Sequence, residues 1–206
     1  KDYLSQIYQS AQRMVKLVND LLNVSRLETG RLKIEPKPTQ MEDFIQNIID
    51  EIQPSAEDHK CKIIFNQSDT KLPKIPIDHT LMRQVIHNFI TNAIRYSPAK
   101  QCDILVEIAQ KDHSYVVSVK DSGIGIPKEV QSRIFEKFFR ADNAQKAEAE
   151  GSGLGMYVAK MITEASGGKI WFESKENKGT TFYVSLPVKG MQKKEGEKSL
   201  AEHETQ

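Results

Sequence analysis

Residues 87–96 read His87-Asn88-Phe89-Ile90-Thr91-Asn92-Ala93-Ile94-Arg95-Tyr96, a stretch with two faces. Phe89, Ile90, Ala93 and Ile94 recur at helical spacing and form a packing face. Asn88 and Asn92 stand four apart, so their carboxamides stack on another face, and Arg95 and Tyr96 continue toward that side. The helix predicted here begins near Asp78, a suitable N-cap, and ends near Ser97. Carboxamide oxygens are hard ligands that suit Mg²⁺, an ion that keeps several waters and takes few protein ligands. Their N–H₂ groups can donate to phosphate oxygens. Two asparagines alone describe a solvated polar face at least as well.

Upstream, residues 40–53 carry Met41, Phe44, Ile45, Ile48, Ile49 and Ile52 at helical spacing, and Cys61 to Asn66 reads as a strand. Downstream, strands are predicted at 103–110 and 114–121, where Tyr115, Val117 and Val119 alternate with Val116, Ser118 and Lys120. A loop-rich region, 122–152, holds one short helix near Lys128 to Phe135. A helix from about Leu154 to Ser166 and strands at 169–174 and 180–186 close the pattern. This order predicts an α/β fold, a two-layer α/β sandwich with helices on one face of a mixed sheet. A long N-terminal helix precedes it. Leu4, Ile7, Ala11, Met14, Val18, Leu21 and Ser25 step by three and four along that helix, a seam that needs a partner helix from this chain or another copy. Gly30 is its natural stop, and Leu32 to Pro38 reads as an extended linker. Three parts are therefore expected: 1–34 as helix and linker, 39–188 as the sandwich, and 189–206 as a polar, disordered tail.

Two loops carry chemistry. In Val119-Lys120-Asp121-Ser122-Gly123-Ile124-Gly125-Ile126-Pro127, Asp121 shares a strand face with Val117 and Val119, so its carboxylate is aimed inward where the strand ends. A buried carboxylate must be hydrogen-bonded, and a purine amino group is a suitable donor. Gly123 and Gly125 let the backbone approach a flat ring closely; a plain turn explains the same residues. Gly151-Ser152-Gly153-Leu154-Gly155 opens a helix, offering backbone N–H groups and a positive dipole end to an anion. Ahead of it, residues 141–150 are small or charged and read as a mobile lid or a surface loop. Ile134-Phe135-Glu136-Lys137-Phe138-Phe139-Arg140 could anchor that lid and leave Arg140 to reach phosphate. Gly179-Thr180-Thr181-Phe182 reads as a tight turn into a buried strand.

The totals narrow the classes. Across 206 residues, 29 Lys+Arg balance 28 Asp+Glu, so no long-range field favours nucleic acid or an anionic membrane. Cys61 and Cys102 fit no metal spacing and are expected as two small apolar residues in a reducing compartment. No run approaches the ~18 apolar residues of a membrane span. A soluble, cytoplasmic stretch is expected.

Taken in order, N-F-I-T-N-A-I-R-Y-S, D-S-G-I-G-I-P, F-E-K-F-F-R, G-S-G-L-G and G-T-T-F resemble the asparagine, first glycine, phenylalanine, second glycine and final glycine boxes of histidine kinase catalytic domains. These belong with the gyrase and heat-shock-chaperone ATPases. The match covers about residues 39–188. L-L-N-V-S-R-L-E-T-G-R-L-K-I-E-P resembles the second helix of the kinase dimerisation domain and its exit linker.

The resemblance implies ATP and Mg²⁺ as cofactors and transfer of the γ-phosphoryl group to a histidine. Asn92 would coordinate Mg²⁺, Asn88 would assist at the phosphates, and both would be catalytic together with Arg140. Asp121 would accept the adenine amino group, Gly123, Gly125 and Ile126 would shape the purine pocket, and Arg95 and Tyr96 would meet phosphate and the adenine edge. Gly151, Ser152, Gly153, Leu154 and Gly155 would hinge the lid and cradle phosphate, and Thr181 would join the nucleotide contacts. Partners implied are a first dimerisation helix with the acceptor histidine, a second copy of the parent as a homodimer, and a response regulator receiver domain; nucleic acid is not among them. None of His59, His79, His87, His113 and His203 has the acceptor context, so the chain reads as a fragment that binds Mg·ATP without labelling itself. A non-catalytic nucleotide-binding or interaction module is the alternative. Hydrolysis is weaker, because hydrolysing relatives carry a glutamate where this chain has Asn88, which is no base.

Overall fold

The computed structural model describes residues 2–67, 71–98, 102–148 and 151–197. Helix α1 (Asp2–Glu28) leads into strand β1 (Lys37–Thr39), helix α2 (Met41–Asp58), and strands β2 (Cys61–Asn66) and β3 (Ile75–Ile77). Helix α3 (His79–Tyr96), strands β4 (Cys102–Lys111) and β5 (Ser114–Lys120), a 3-10 turn (Lys128–Arg133) and helix α4 (Asp142–Ala147) follow. Helix α5 (Gly155–Ala165) and strands β6 (Lys169–Lys175) and β7 (Gly179–Pro187) complete the order. The main sheet runs β2-β4-β5-β7-β6, with β2 parallel to β4 and every other pair antiparallel. β1 and β3 form a separate antiparallel pair. The mixed sheet with its helix layer matches the fold expected from sequence.

Apolar spacing explains the layers. Leu81, Met82, Val85, Ile86, Phe89, Ile90, Ala93 and Ile94 are all buried, which turns α3 into the central helix between α2 and α5. They meet Ile104, Val106 and Ile108 of β4 and Tyr115, Val117 and Val119 of β5, the inward half of each two-residue period. Phe89 stacks on Phe182 at 5.3 Å, while Phe182 meets Phe172 at 5.6 Å and Phe172 meets Phe135 at 5.7 Å with tilted rings. This aromatic chain runs from α3 across the sheet to the segment ahead of the lid. Asp78 caps α3 as the sequence suggests, its Oδ1 accepting Leu81 N–H at 3.1 Å.

Four expectations need correcting. The short helix near 128–135 is a 3-10 turn ending at Arg133, and the segment 141–150, expected as a mobile lid or a surface loop, contains α4. Residues 189–197 fold back onto the linker: Met191 is 2% exposed, and bridges join Leu32 to Glu197 and Ile34 to Lys194. Burial of Met191 is worth about 2 kcal/mol, more than the solvent-facing Arg26–Glu197 ion pair at 3.1 Å, which contributes at most about 1 kcal/mol. Residues 198–206 lie outside the described residues. Along α1, Ile7, Met14, Val18 and Leu21 remain exposed, while Val24 and Leu27 are buried near α5. Leu4 is not described beyond its helical backbone.

The fourth correction concerns the cysteines. Cys61 and Cys102 form a disulfide between β2 and β4, where they are register partners with Cα atoms 4.5 Å apart. Sequence spacing conceals this, because the pairing exists only once the two strands lie parallel. The bond closes a 41-residue separation that contains all of α3, a loop size worth about 4 kcal/mol on the chain-entropy account. Urea unfolding of Cys61→Ser/Cys102→Ser should show a loss of up to about 4 kcal/mol, and reductant should produce the same loss in the parent chain. A parent chain indifferent to reductant would contradict the bond.

Candidate nucleotide site

Helices α3 and α5, the loop after β5, and the lid enclose a cavity of about 590 Å³, within the usual range for small-ligand sites. Asn88, Asn92, Arg95 and Tyr96 line it from α3; Asp121, Gly125 and Ile126 from the β5 exit; Arg140 and Asn143 from the lid; and Gly151, Ser152, Gly153 and Gly155 from the start of α5. Twelve of the residues named from sequence thus converge on one volume.

Asp121 sits at the floor, 7% exposed, directly after β5 and in phase with Val117 and Val119. Its Oδ1 accepts Gly123 N–H at 2.7 Å and Thr180 N–H at 3.1 Å, while its own N–H donates to the Thr180 carbonyl at 2.9 Å. Among the described residues no group donates to Oδ2. Burial pushes the carboxyl up to about 6, against the opposing pull of the two N–H donors. The loop that follows is wedged in place. Gly125 adopts φ +62°, and a Cβ there would lie 2.1 Å from the Lys175 carbonyl oxygen. Asn177 N–H donates to the Ile124 carbonyl at 2.8 Å, so the β6–β7 turn backs the loop.

On α3, Asn88 spends one amide hydrogen on the Gly155 carbonyl at 3.1 Å, tying the helix to the first residue of α5. Asn92, one turn on, lines the cavity. Arg140 points its guanidinium at the lid backbone: Nη1 donates to the Gly151 carbonyl at 3.4 Å, and Nη2 to the carbonyls of Ala144 at 3.3 Å and Glu148. It organises the lid rather than reaching across the cavity as expected. Asn143 Nδ2 donates to the Gly125 carbonyl at 2.9 Å and fastens α4 to the glycine loop. At the other hinge Gly153 has φ +70°, and a Cβ there would lie 2.6 Å from the Phe138 carbonyl carbon, so the lid's two ends touch backbone to backbone.

Three sequence-named residues fall outside the lining. Gly123 stands behind the wall, where a Cβ would meet the Tyr96 carbonyl oxygen at 2.4 Å. Leu154 is 1% exposed and belongs to the core. Thr181 pairs with Lys120 on the outward half of the sheet period, so Thr180 and Phe182 line the cavity in its place. Strand phase from Phe182 carried that signal. Asn143 had none, because residues 141–150 show no apolar period.

The segments on either side of the lid are joined to α1. Glu28 accepts a hydrogen bond from Tyr157 Oη at 2.6 Å and pairs with Lys137, whose ammonium lies 5.3 Å from the Tyr157 ring centre. Burial first, and then the Glu28 hydrogen bond, push the Tyr157 hydroxyl up to about 12.

For divalent metal, the donor set at α3 is carboxamide, and among the described residues no three His, Cys, Asp or Glu side chains gather to hold an ion. Carboxamide oxygen fits Mg²⁺ where phosphate and water supply the remaining ligands.

The raised Asp121 carboxyl has a stability consequence with a definite sign. The folded chain holds this proton more tightly than the unfolded chain, so stability is lost as pH rises from about 4 through 6. A shift of roughly two units corresponds to about 3 kcal/mol. Asp121→Asn keeps an Oδ1 acceptor and removes the charge. Urea unfolding should find it more stable than the parent by up to about 3 kcal/mol at pH 7, with the gain vanishing near pH 4. A variant less stable at pH 7 would contradict this reading.

Residues 77–190 match the family model described as histidine kinase-, DNA gyrase B- and HSP90-like ATPase. The sensor histidine kinase WalK of Bacillus subtilis is 36% identical over 188 residues, covering 91% of this chain and 30% of that protein. The signal transduction histidine-protein kinase BarA of Escherichia coli is 31% identical over 189 residues, covering 90% of this chain and 21% of that protein. The chain thus spans under a third of the length of these relatives. Among solved structures, full-length ShkA in complex with AMPPNP shares the fold with a TM-score of 0.79 at 24% identity, covering 94% of this chain and 39% of that one. The catalytic domain of the histidine kinase ThkA aligns with a TM-score of 0.65 at 27% identity, over 75% of this chain and 96% of that one. The chain belongs to the histidine kinase-, DNA gyrase B- and HSP90-like ATPase family.

Proposed function

We propose that this chain is the ATP-binding, phosphoryl-donating part of a sensor histidine kinase. The observation that carries the reading is Asp121, a buried carboxylate with one oxygen committed to backbone N–H groups and the other with no donor among the described residues. Such an oxygen suits the exocyclic amino group of adenine. Gly125 and Ile126 then flank the purine, and Arg95 and Tyr96 face phosphate and ring edge. Asn92 would hold Mg²⁺, which neutralises charge on the phosphates. Asn88 and the glycines at 151, 153 and 155 fix the phosphate end of the site, and Arg140 keeps the lid in shape around it.

In the reaction, the bond between the γ-phosphorus and the ADP oxygen breaks and a bond to an imidazole nitrogen forms, with catalysis resting on alignment and charge neutralisation. The acceptor would lie on a dimerisation helix that pairs with α1, in a homodimer of the parent, and a response regulator receiver domain would take the phosphoryl group next. Residues 1–34 would belong to the dimerisation domain and 39–188 to the ATP-binding domain. Asn88 stands where a water-activating glutamate would serve hydrolysis, which favours transfer. Among the described residues no helix is long and apolar enough to cross a membrane. An ATP-dependent kinase domain would work in the cytoplasm.

Calorimetric titration of AMPPNP with and without Mg²⁺ tests the reading. Saturable binding is expected, and loss of the Asp121 acceptor in Asp121→Asn should weaken it about 10-fold or more. Asn92→Ala should abolish the magnesium dependence. Binding should also weaken as pH falls below about 6, where Asp121 takes up its proton. No binding by a folded parent chain would sink the assignment.

A further inference from the structure

We infer that residues 190–197 are a strap that holds the linker, and through it α1, in one position against the ATP-binding layers. The strap is rooted at Met191, whose N–H donates to the Pro76 carbonyl at 2.7 Å and whose Sδ accepts Asp78 N–H at 3.0 Å. Its outer end pairs with the linker by backbone alone. Ile34 N–H donates to the Lys194 carbonyl at 2.9 Å, Lys194 N–H to the Ile34 carbonyl at 3.0 Å, Lys33 N–H to the Glu197 carbonyl at 2.9 Å, and Glu197 N–H to the Arg31 carbonyl at 2.6 Å. The chains are in van der Waals contact, since a Cβ on Gly196 would lie 2.1 Å from the Arg31 carbonyl oxygen. Asp78 joins the parts: its Oδ1 caps α3, its Oδ2 accepts Glu35 N–H at 2.8 Å, and its own N–H meets the strap. Linker, strap and α3 therefore meet at one residue, Asp78.

This arrangement is built to open. Side chains 192–197 are exposed, so only the root has apolar burial, and a segment held by surface backbone bonds and the solvent-facing Arg26–Glu197 pair opens at low free-energy cost. At the far side of the linker, Glu28 is held by Lys137 and Tyr157, so with the strap closed α1 is gripped at two places. That consequence rests on the kinase reading: a domain delivering phosphoryl groups to a helix beside α1 must shift along it, and the strap sets how readily it does.

Gly196→Val inserts side-chain atoms into the Arg31 contact without touching the nucleotide cavity. In the full chain, hydrogen exchange at the Lys33 and Ile34 amides should quicken about 10-fold or more, with amides of β4 and β5 unchanged. Spin labels at Val15→Cys and Lys111→Cys, under non-reducing conditions, should give one narrow distance distribution in the parent and a broad one with Gly196→Val. A chain ended at residue 189 should behave as the valine variant does. Unchanged exchange, or faster exchange with the distance distribution still narrow, would overturn the strap. AMPPNP affinity, measured alongside, should be equal in parent and variant; absence of binding in both would sink the nucleotide reading and leave the strap standing.

Discussion

A carboxylate buried where β5 ends is the constraint on which the rest of the site depends. Desolvation makes an ionised Asp121 costly, and two backbone N–H groups offset only part of that cost. Holding it needs Gly123 close behind, the β7 strand alongside to supply Thr180 N–H, and a loop rigid enough to keep both donors on one oxygen. Gly125, wedged against the β6–β7 turn, supplies that rigidity. The second oxygen is the result: an acceptor fixed in place at the floor of the cavity. Folding alone gains nothing from such a group, and groups of this kind gather at binding sites.

The lid is organised on a related principle. Residues 141–150 have no apolar face to pack, so they are held by polar groups that collect their carbonyls. Arg140 gathers two of these, from Ala144 and Glu148, together with that of Gly151; Asn143 reaches the glycine loop, and the backbones at Phe138 and Gly153 touch. A cover built this way closes without a hydrophobic penalty for opening, as a nucleotide lid requires. Lys137, ahead of the lid, and Tyr157 of α5 hold the end of α1.

Much of this was legible from residues alone, for identifiable reasons. The period of α3, the phase of β5 and the glycines before α5 are local signals, and each led to the residues found around the cavity. Where side-chain phase alternates by two, one position of error reverses a face, which separates Thr181 from Thr180. Leu154 was read with its flanking glycines, although an apolar side chain beside a helix start turns to the core. Features that depend on distant pairings stayed hidden. The Cys61–Cys102 bond needs the parallel register of β2 and β4. The strap at 190–197 needs a linker edge with unpaired N–H and C=O groups, which its polar composition does not announce. The type of Arg140 points to phosphate, yet its guanidinium donates to the carbonyls of Ala144, Glu148 and Gly151.

The account stands or falls on Asp121 as the purine acceptor. Carbon-13 NMR titration of its side-chain carboxyl, in the chain alone and saturated with AMPPNP, measures this most directly. The free chain should titrate at about 6, and bound nucleotide, by hydrogen-bonding the charged form, should move the midpoint down by about one unit or more. An ordinary carboxylate midpoint in the free chain, or one that nucleotide leaves unmoved, would contradict it.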